Sequence, residues 1–250
     1  MSESTSRLSG KVVVVTGAAR GQGAAEAAAL ARAGAEVIAT DVRPEGDGCR
    51  RLDVSNETDW AELAAELRAT YGHVHGLVNN AGVIQRGRLG EVSPEDMAQV
   101  QAVNTTGPLL GIQQLSPLMP PGSSIVNVGS SAALTGYYPV AYTASKWALR
   151  GVSRIAAMEL GPRGIRVNTI HPGYIETEMT AAATEAFRET TIRETPLGRS
   201  GRADDIAPLV VFLISDESSF ITGTDIPVDG GLTAHGGVKS ISDAVRPDGP

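Results

Sequence analysis

Short apolar runs rich in β-branched residues recur along the chain, and helix-forming segments separate them. These runs predict buried strands at 12–15, 36–40, 76–78, 124–128, 164–170 and 225–228. Between several of them, Ala- and Leu-rich segments place apolar residues three and four positions apart. That spacing predicts helices at 24–33, 60–71, 94–118, 144–160 and 204–215. The alternation is typical of βαβ units, in which a parallel sheet is covered by helices on both faces.

The connections between these elements indicate one domain. No Pro- or Ser-rich linker and no change of composition divides the 250 residues. One crossover is unusually short, because only "VRPEGDGC" separates Asp41 from a further short strand candidate at 50–53. Pro44 and Gly46 oppose a helix there, so we expect a bare loop. The tail at 232–250 is rich in Gly and Pro, and we expect it to be irregular.

Composition and charge narrow the classes of partner. A chain with 42% hydrophobic and 20% charged residues can bury a sizeable core as an ordinary soluble protein. Its net charge of -7 argues against nucleic-acid binding, which needs clustered Lys and Arg. The single cysteine, Cys49, favours neither a disulfide framework nor a metal site. The polar N-terminus and the lack of a ~20-residue apolar run predict a cytoplasmic protein without membrane contact.

A glycine-rich turn follows the first predicted strand. The segment "TGAARGQG" places glycines at 17, 21 and 23, directly before an Ala-rich helix. Glycines let the backbone approach a phosphate, and the free amides at the start of the helix favour an anion. The spacing is T-G-x3-G-x-G and not the common G-x-G-x-x-G. A nucleotide site is therefore predicted, with a tight strand-to-helix turn without a ligand as the alternative.

The second predicted strand ends close to Asp41. A carboxylate there can accept hydrogen bonds from both adenosine-ribose hydroxyls and would repel a 2'-phosphate, which favours NAD over NADP. Arg20 and Arg43 flank the same position and could instead bind that phosphate.

Tyr142 and Lys146 stand four residues apart in a segment with helical periodicity, so they share one helix face. A tyrosine titrates near ~10, and a neighbouring ammonium would lower its pKa toward the range of a general acid/base. The alternative is an exposed, weakly interacting helix pair. Ser130 and Ser131 follow a strand directly and could contact a substrate oxygen. No G-x-S-x-G elbow or triad-like histidine favours a nucleophilic serine.

In combination, these motifs resemble the short-chain dehydrogenase/reductase family from about residue 8 to 231. The ordered set is Thr16-Gly17-x3-Gly21-x-Gly23, Asn79-Asn80-Ala81-Gly82, Asn104, Ser130, Tyr142-x3-Lys146 and Pro172-Gly173. The resemblance implies a single-domain, doubly wound sheet of the Rossmann type. It also implies hydride transfer between a nicotinamide and an alcohol or ketone carbon. Asp41 favours NAD(H) as the nicotinamide, and apolar residues such as Phe187 and Leu134 predict a hydrophobic secondary alcohol or ketone.

The resemblance further implies a role for each matching residue. Tyr142 would be the acid/base, Lys146 would bind the nicotinamide ribose and lower the pKa of the tyrosine, and Ser130 would orient the substrate oxygen. Asn104 would hold a water in the proton relay. Substrate would contact Ser130, Tyr137 and Tyr142. The implied cofactor site comprises Gly17, Arg20, Gly21, Gln22, Gly23, Asp41, Asp53, Val54, Asn80, Ala81, Gly82, Tyr142, Lys146, Pro172, Gly173, Ile175 and Thr177.

Two departures from the family pattern and one rival function stand beside this interpretation. In many members the serine precedes the tyrosine by thirteen residues, whereas Ser130 precedes Tyr142 by twelve, so Ser131 is the alternative. The short crossover after Asp41 would leave the adenine end more open. The resemblance also implies a lid over the substrate at 174–199 and a homotetramer, or at least a dimer, built from the helices at 94–118 and 144–160. The rival is a catalytically silent nucleotide-binding sensor or scaffold, against which the complete Ser/Tyr/Lys/Asn set argues.

Overall fold

The computed structural model describes residues 6–46 and 48–246. Within them, seven parallel strands form one sheet: β1 Val12–Thr16, β2 Glu36–Asp41, β3 Cys49–Arg51, β4 Gly76–Asn79, β5 Ser124–Val128, β6 Arg166–Pro172 and β7 Asp225–Val228. Their order across the sheet is β3-β2-β1-β4-β5-β6-β7. The order reverses between β1 and β4, which is the switch point of a doubly wound Rossmann-type fold. The predicted fold class is confirmed.

Helices cover both faces of this sheet. They are α1 Gly21–Arg32, α2 Glu57–Thr70, α3 Pro94–Gln101, α4 Gly107–Leu115, α5 Val140–Leu160, α6 Glu178–Ala181, α7 Glu185–Glu194, α8 Ala203–Ile214 and α9 Lys239–Ala244. Because side chains alternate across a strand, β1 serves two cores. Val12 and Val14 belong to the core that includes Trp60 of α2, whereas Val13 and Val15 belong to the core on the α1 and α8 side.

The predicted helix at 94–118 is wrong as one continuous α-helix. A π-helical turn at Ala102–Thr106 separates α3 from α4, and a 3-10 turn at Ser116–Leu118 ends the run. Apolar periodicity does not distinguish these variants, since a π turn adds only one residue to the ring closed by each hydrogen bond. The π-helical turn contains Asn104.

The C-terminal segment is more regular than the sequence predicts. The expectation of an irregular tail at 232–250 is wrong at Lys239–Ala244, which forms α9. An ion pair between Lys239 Nζ and Asp243 Oδ2, 2.5 Å apart and one helical turn along, supports this short helix. Residues 247–250 of that expectation lie outside the described residues.

The connection between β2 and β3 has no helix in its described residues, 42–46 and 48, as expected. β3 is short and pairs with β2 through Ala39–Asp41, opposite Cys49–Arg51. The chain then re-enters the body of the protein, where the Leu52 amide donates to the Asp41 carbonyl at 2.9 Å. This places the loop beside the end of β2.

Candidate active site

A cleft of about 800 Å³ opens at the carboxyl ends of the central strands. Its size lies within the ~300–1,000 Å³ range of ligand pockets, and its place is the switch point where open α/β sheets bind ligands. Most residues of the predicted site line it: Gly17, Arg20, Gly21, Gln22, Gly23, Asp41, Asp53, Val54, Asn80, Ala81, Gly82, Ser130, Tyr142, Lys146, Pro172, Gly173, Ile175 and Thr177. Asn104 and Tyr137 are not among the lining residues.

The glycine-rich turn forms a cradle that larger residues would fill. Gly17 and Gly21 have φ angles of 65° and 58°, which L-residues with side chains rarely adopt. A Cβ at Gly23 would lie 2.2 Å from the Gly17 carbonyl oxygen. The residue before α1, Arg20, makes no side-chain cap to the helix, so the first amides are left for another acceptor. This geometry fits the phosphates of a dinucleotide.

Thr16 and Asn80 fix the glycine-rich turn through hydrogen bonds. The Thr16 hydroxyl accepts from the Asn80 and Ala81 amides at 3.1 and 3.0 Å. The Asn80 side chain donates to the carbonyls of Thr16 and Gly17 at 2.9 and 3.1 Å. Asn80 therefore borders the cleft, as predicted, while its side-chain amide is used to fix the glycine turn.

Asp41 and Arg20 face the cleft at the end of β2. The Asp41 carboxylate is 9% exposed and accepts from the Arg43 amide at 2.9 Å and the Ala19 amide at 3.3 Å. The guanidinium of Arg20 contacts Glu45 at 2.7 Å and Glu178 at 3.1 Å. The positive charge of Arg20 is thus shared between two carboxylates.

Asp53 and Val54, which are predicted to flank adenine, are held by hydrogen bonds and packing. Asp53 accepts from the amide and the hydroxyl of Ser55 at 3.0 and 2.6 Å. The Val54 carbonyl accepts from the Trp60 indole at 2.9 Å, and Val54 is buried against Gly107. These contacts fix the positions of Asp53 and Val54.

Ser130, Tyr142 and Lys146 meet at the floor of the cleft. Ser130 lines the cleft with Tyr142, and its hydroxyl accepts from the Ala132 amide at 3.1 Å. Lys146 is buried, its ammonium donates to the Val128 carbonyl at 2.7 Å, and it lies 5.9 Å from the centre of the Tyr142 ring. Ser131 begins a 3-10 turn, Ser131–Ala133. Ser130 lines the cleft and Ser131 does not, and the assignment of Ser130 as the catalytic serine stays a prediction.

Burial controls the protonation of this group. It raises the pKa of Tyr142, and the bond from Ser130 offsets that effect only in part. Burial lowers the pKa of Lys146 to about 8. The lowering of the Tyr142 pKa by Lys146 and a nicotinamide, which the family resemblance implies, stays a prediction.

Asn104 lies one layer behind the cleft, in the π-helical turn. Its side chain accepts from the Val83 amide at 2.8 Å and donates to the Val83 carbonyl at 2.9 Å and to the Ser145 hydroxyl at 3.0 Å. A Cβ at Gly82 would lie 3.4 Å from Asn104 Oδ1 and 3.5 Å from Lys146 Nζ. Asn104 thus ties the loop after β4 to α5, beside Lys146, and its predicted role in holding a water stays a prediction.

Tyr137 belongs to an aromatic cluster above the floor of the cleft. Its ring centre is 5.0 Å from that of Tyr138 and 6.3 Å from that of Phe187 on α7, and Tyr174 stands 5.8 Å from Phe187. Burial raises the pKa of Tyr137, so its hydroxyl stays neutral. The cluster joins the loop before α5 to the segment expected to form a lid.

Several lining residues belong to no motif of the sequence, although three of them lie in the segment 174–199 that is expected to form a lid. Glu178, Met179 and Thr180 come from the start of α6, and Gln99 and Ile84 come from α3 and the loop after β4. The Met179 carbonyl accepts from the guanidinium of Arg86 at 2.8 Å. These residues reach the cleft through packing between distant segments, which periodicity and local motifs do not report.

Other kinds of site find no support in the described part of the chain. No group of His, Cys, Asp and Glu in residues 6–46 and 48–246 is arranged to hold a metal ion. No helix within those same ranges combines the length and apolarity needed to cross a membrane.

Comparisons with known proteins agree with the geometry of the site. Residues 17–233 match a family model described as enoyl-(acyl carrier protein) reductase. The chain is 36% identical to trans-4-hydroxycyclohexanecarboxylate dehydrogenase of Sinomonas cyclohexanicum, over 96% of this chain and 99% of that protein. It is 39% identical to 3-alpha-(or 20-beta)-hydroxysteroid dehydrogenase of Mycobacterium bovis, over 91% of each. A gluconate 5-dehydrogenase from Burkholderia cenocepacia, in complex with NADP and tartrate, superposes with a TM-score of 0.85 at 30% identity, over 92% of this chain and 98% of that one.

Proposed function

Because the chain belongs to the short-chain dehydrogenase/reductase family, we propose that it is an NAD(H)-dependent oxidoreductase acting on a hydrophobic secondary alcohol or ketone. One observation carries the proposal. Ser130, Tyr142 and Lys146 meet at the floor of a cleft whose other end is a glycine cradle for phosphates. This arrangement supports a proton donor at Tyr142 that would stand next to a bound nicotinamide.

The cofactor, when bound, supplies or accepts the hydride. The protein then has to bind the substrate, orient it and move one proton. Tyr142 would take the proton from an alcohol oxygen during oxidation and return it during reduction. Ser130, which lines the cleft together with Tyr142, would hold the substrate oxygen at the same point.

Lys146 is suited to a fixed positive charge near Tyr142. The carbonyl of Val128 holds its ammonium at 2.7 Å, so the side chain does not have to reorganise to act. Its remaining two N–H donors would bind ribose hydroxyls. In this role Lys146 would stabilise the phenolate form of Tyr142 and lower the pKa that burial raises.

Several features support NAD over NADP. Asp41 ends β2 at the expected position of the adenosine ribose, and Glu45 and Glu178 already neutralise Arg20. A 2'-phosphate would have to displace those carboxylates and would face the charge of Asp41. The gluconate dehydrogenase bound to NADP argues in the opposite direction, so the relative use of the two cofactors is the quantity to measure.

The surroundings of the floor support a bulky apolar substrate. Ile84 and Met179 line the cleft, and the aromatic cluster of Tyr137, Tyr138, Tyr174 and Phe187 stands at its side. Two relatives are named for a hydroxylated cyclohexane ring and for hydroxysteroids. We therefore propose a cyclic secondary alcohol, with its ring on the apolar side and its hydroxyl between Ser130 and Tyr142.

We also infer that the protein assembles, as a homotetramer, through α4 and α5. Three large apolar side chains of α5 are exposed in a single chain: Trp147 at 47%, Ile155 at 56% and Met158 at 70%. Contiguous apolar surface of this kind is typical of an interface with another copy.

A substrate panel tests the proposed function. The protein is incubated with cyclohexanol, hydroxycyclohexanecarboxylates and hydroxysteroids, each with NAD and with NADP, while the absorbance of the reduced nicotinamide is followed. We expect turnover of at least one cyclic alcohol, with NAD preferred. Tight binding of NAD without turnover of any alcohol, or of the matching ketones with NADH, would instead support the silent sensor.

A further inference from the structure

A network of ionisable side chains around the buried His171 contacts the backbone of Ser130, outside the residues that line the cleft. His171 on β6 is fully buried, and its Nε2 is 2.8 Å from Asp225 Oδ1 on β7. Its Nδ1 faces the backbone of Ser130, 3.2 Å from the amide nitrogen and 2.9 Å from the carbonyl oxygen. The imidazole on β6 therefore connects the residue that follows β5 by two positions to the first residue of β7.

The backbone at Gly129 packs directly against the imidazole ring of His171. A Cβ at Gly129 would lie 2.5 Å from His171 Nδ1 and 3.0 Å from the Ile170 carbonyl oxygen. Only glycine lets the chain pass over the imidazole at this distance. The position of Ser130, one residue further on, is thus tied to the position of the His171 ring.

The network continues to the helix that carries Tyr142. Arg150 donates to Asp225 through Nε and Nη2 at 3.2 and 3.1 Å, and through Nη1 to the Ala133 carbonyl at 2.7 Å. Arg150 stands one turn after Lys146 and two turns after Tyr142, on the same face of α5. The turn that presents Ser130 and the helix that presents Tyr142 are therefore fastened to one carboxylate.

We propose that His171, Asp225 and Arg150 form a positioning clamp that holds the Ser130 hydroxyl in register with the Tyr142 hydroxyl. None of the three residues needs to touch substrate for this role. Its kinetic consequence rests on the proposed function of Tyr142, but the geometry of the clamp does not. Arg154, an exposed residue of α5, also donates to Asp225 Oδ2 at 2.6 Å. A two-point grip explains why a partly buried carboxylate is kept next to a buried imidazole.

The hydrogen bonds define which form of His171 is suited to the clamp. With Nε2–H donating to Asp225, a neutral ring has Nδ1 free to accept from the Ser130 amide. A protonated ring would instead donate to the Ser130 carbonyl and leave that amide without its acceptor. Burial and the charge of Arg150 lower the pKa of His171, while Asp225 and the Ser130 backbone raise it, with a net lowering. The neutral form therefore prevails at neutral pH.

An optical titration tests the clamp without turnover. The phenol of Tyr142 is titrated in the cofactor-free protein from ultraviolet difference spectra, with the spectrum of Tyr142→Phe subtracted. Since the Ser130 bond lowers the pKa of Tyr142, its loss in Ser130→Ala is expected to raise that pKa. His171→Phe keeps a ring but removes both hydrogen bonds. We expect it to raise the pKa by the same amount as Ser130→Ala.

His75→Phe is the matched control. His75 Nδ1 also accepts from a backbone amide, that of Val12 at 3.1 Å, but at the opposite edge of the sheet. This variant is expected to leave the titration of Tyr142 unchanged. Circular dichroism reports whether each variant is folded over the titration range. If His171→Phe does not fold, Asp225→Asn provides the second test, because it keeps the size of the side chain and removes the charge.

Kinetics then separate the clamp from the proposed function. In the direction of ketone reduction, His171→Phe is expected to lower kcat about tenfold and leave the KM for NADH unchanged. Asp225→Asn should move the acidic limb of kcat to lower pH, because the carboxylate raises the pKa of His171. A folded His171→Phe or Asp225→Asn protein with the wild-type titration of Tyr142 would overturn the clamp. Absence of turnover in the wild type would overturn the proposed function, and the titration would still decide the clamp.

Discussion

The carboxyl group of Glu26 makes the stability of this protein depend on pH. Glu26 lies on α1 and is fully buried, and burial raises its pKa from 4.5 to about 8. Oε1 accepts from the Gln22 side chain at 2.9 Å, and Oε2 has no hydrogen-bond partner within the described residues. A buried carboxylate without an ion pair is costly, so the folded protein keeps the group protonated over a wide pH range.

The sign of the effect follows from the raised pKa. Between about pH 4.5 and pH 8 the folded state holds a proton that the unfolded state releases. Stability is therefore fully present below pH 4.5 and is lost as pH rises toward 8. From pH 5 to pH 8 the loss amounts to about 3 to 4 kcal/mol, at ~1.4 kcal/mol per pH unit.

Glu26→Gln removes this dependence, because the amide is neutral at every pH. The free energy of unfolding is measured with urea at pH 5, 6, 7 and 8 for both proteins. We expect the variant to gain about 3 to 4 kcal/mol relative to wild type across that range. Glu62→Gln, an exposed change on α2, is the control and should run parallel to wild type. If the free energy of unfolding of Glu26→Gln changes with pH in parallel with that of wild type, the raised pKa of Glu26 is refuted.

Three further predictions concern cofactor and assembly. Gly23→Ala should abolish NAD binding in a calorimetric titration, because the new methyl would lie 2.2 Å from the Gly17 carbonyl oxygen. A variant that binds NAD with wild-type affinity would show that the glycine-rich turn does not bind the phosphates. Glu45→Gln removes one of the two exposed ion pairs of Arg20 and should raise the ratio of kcat/KM for NADP over NAD about two- to fivefold. An unchanged ratio would mean that Arg20 does not face the ribose. Trp147→Glu should reduce the mass measured by light scattering, and an unchanged tetramer would place the interface elsewhere.

The sheet and the position of the cleft were predictable because they depend on local patterns. Buried parallel strands appear as continuous β-branched runs, such as Val12–Val15, with helical periodicity between them. Glycine and asparagine clusters follow the strands directly, and parallel strands bring their carboxyl ends to one edge. The shared helix face of Tyr142 and Lys146 was predictable from their spacing of four residues alone.

Features that depend on contacts between distant segments were not predictable. The dyad of His171 and Asp225 joins residues 54 positions apart, and the π-helical turn at Ala102–Thr106 is supported by the bonds of Asn104 to a loop 21 residues away. The pairing of Arg20 with Glu178 likewise requires α6 to lie over the glycine turn. Histidines without a neighbouring motif gave no indication of a shared network.

The most direct measurement of the central claim compares wild type with Tyr142→Phe. The oxidation of a cyclic secondary alcohol accepted in the panel is followed at saturating NAD, and the Kd for NAD is measured by calorimetry on both proteins. If Tyr142 is the acid/base, kcat falls by about 100-fold or more, while the Kd changes by less than about threefold. A variant that keeps more than about one tenth of the wild-type kcat would contradict the assignment of proton transfer to Tyr142.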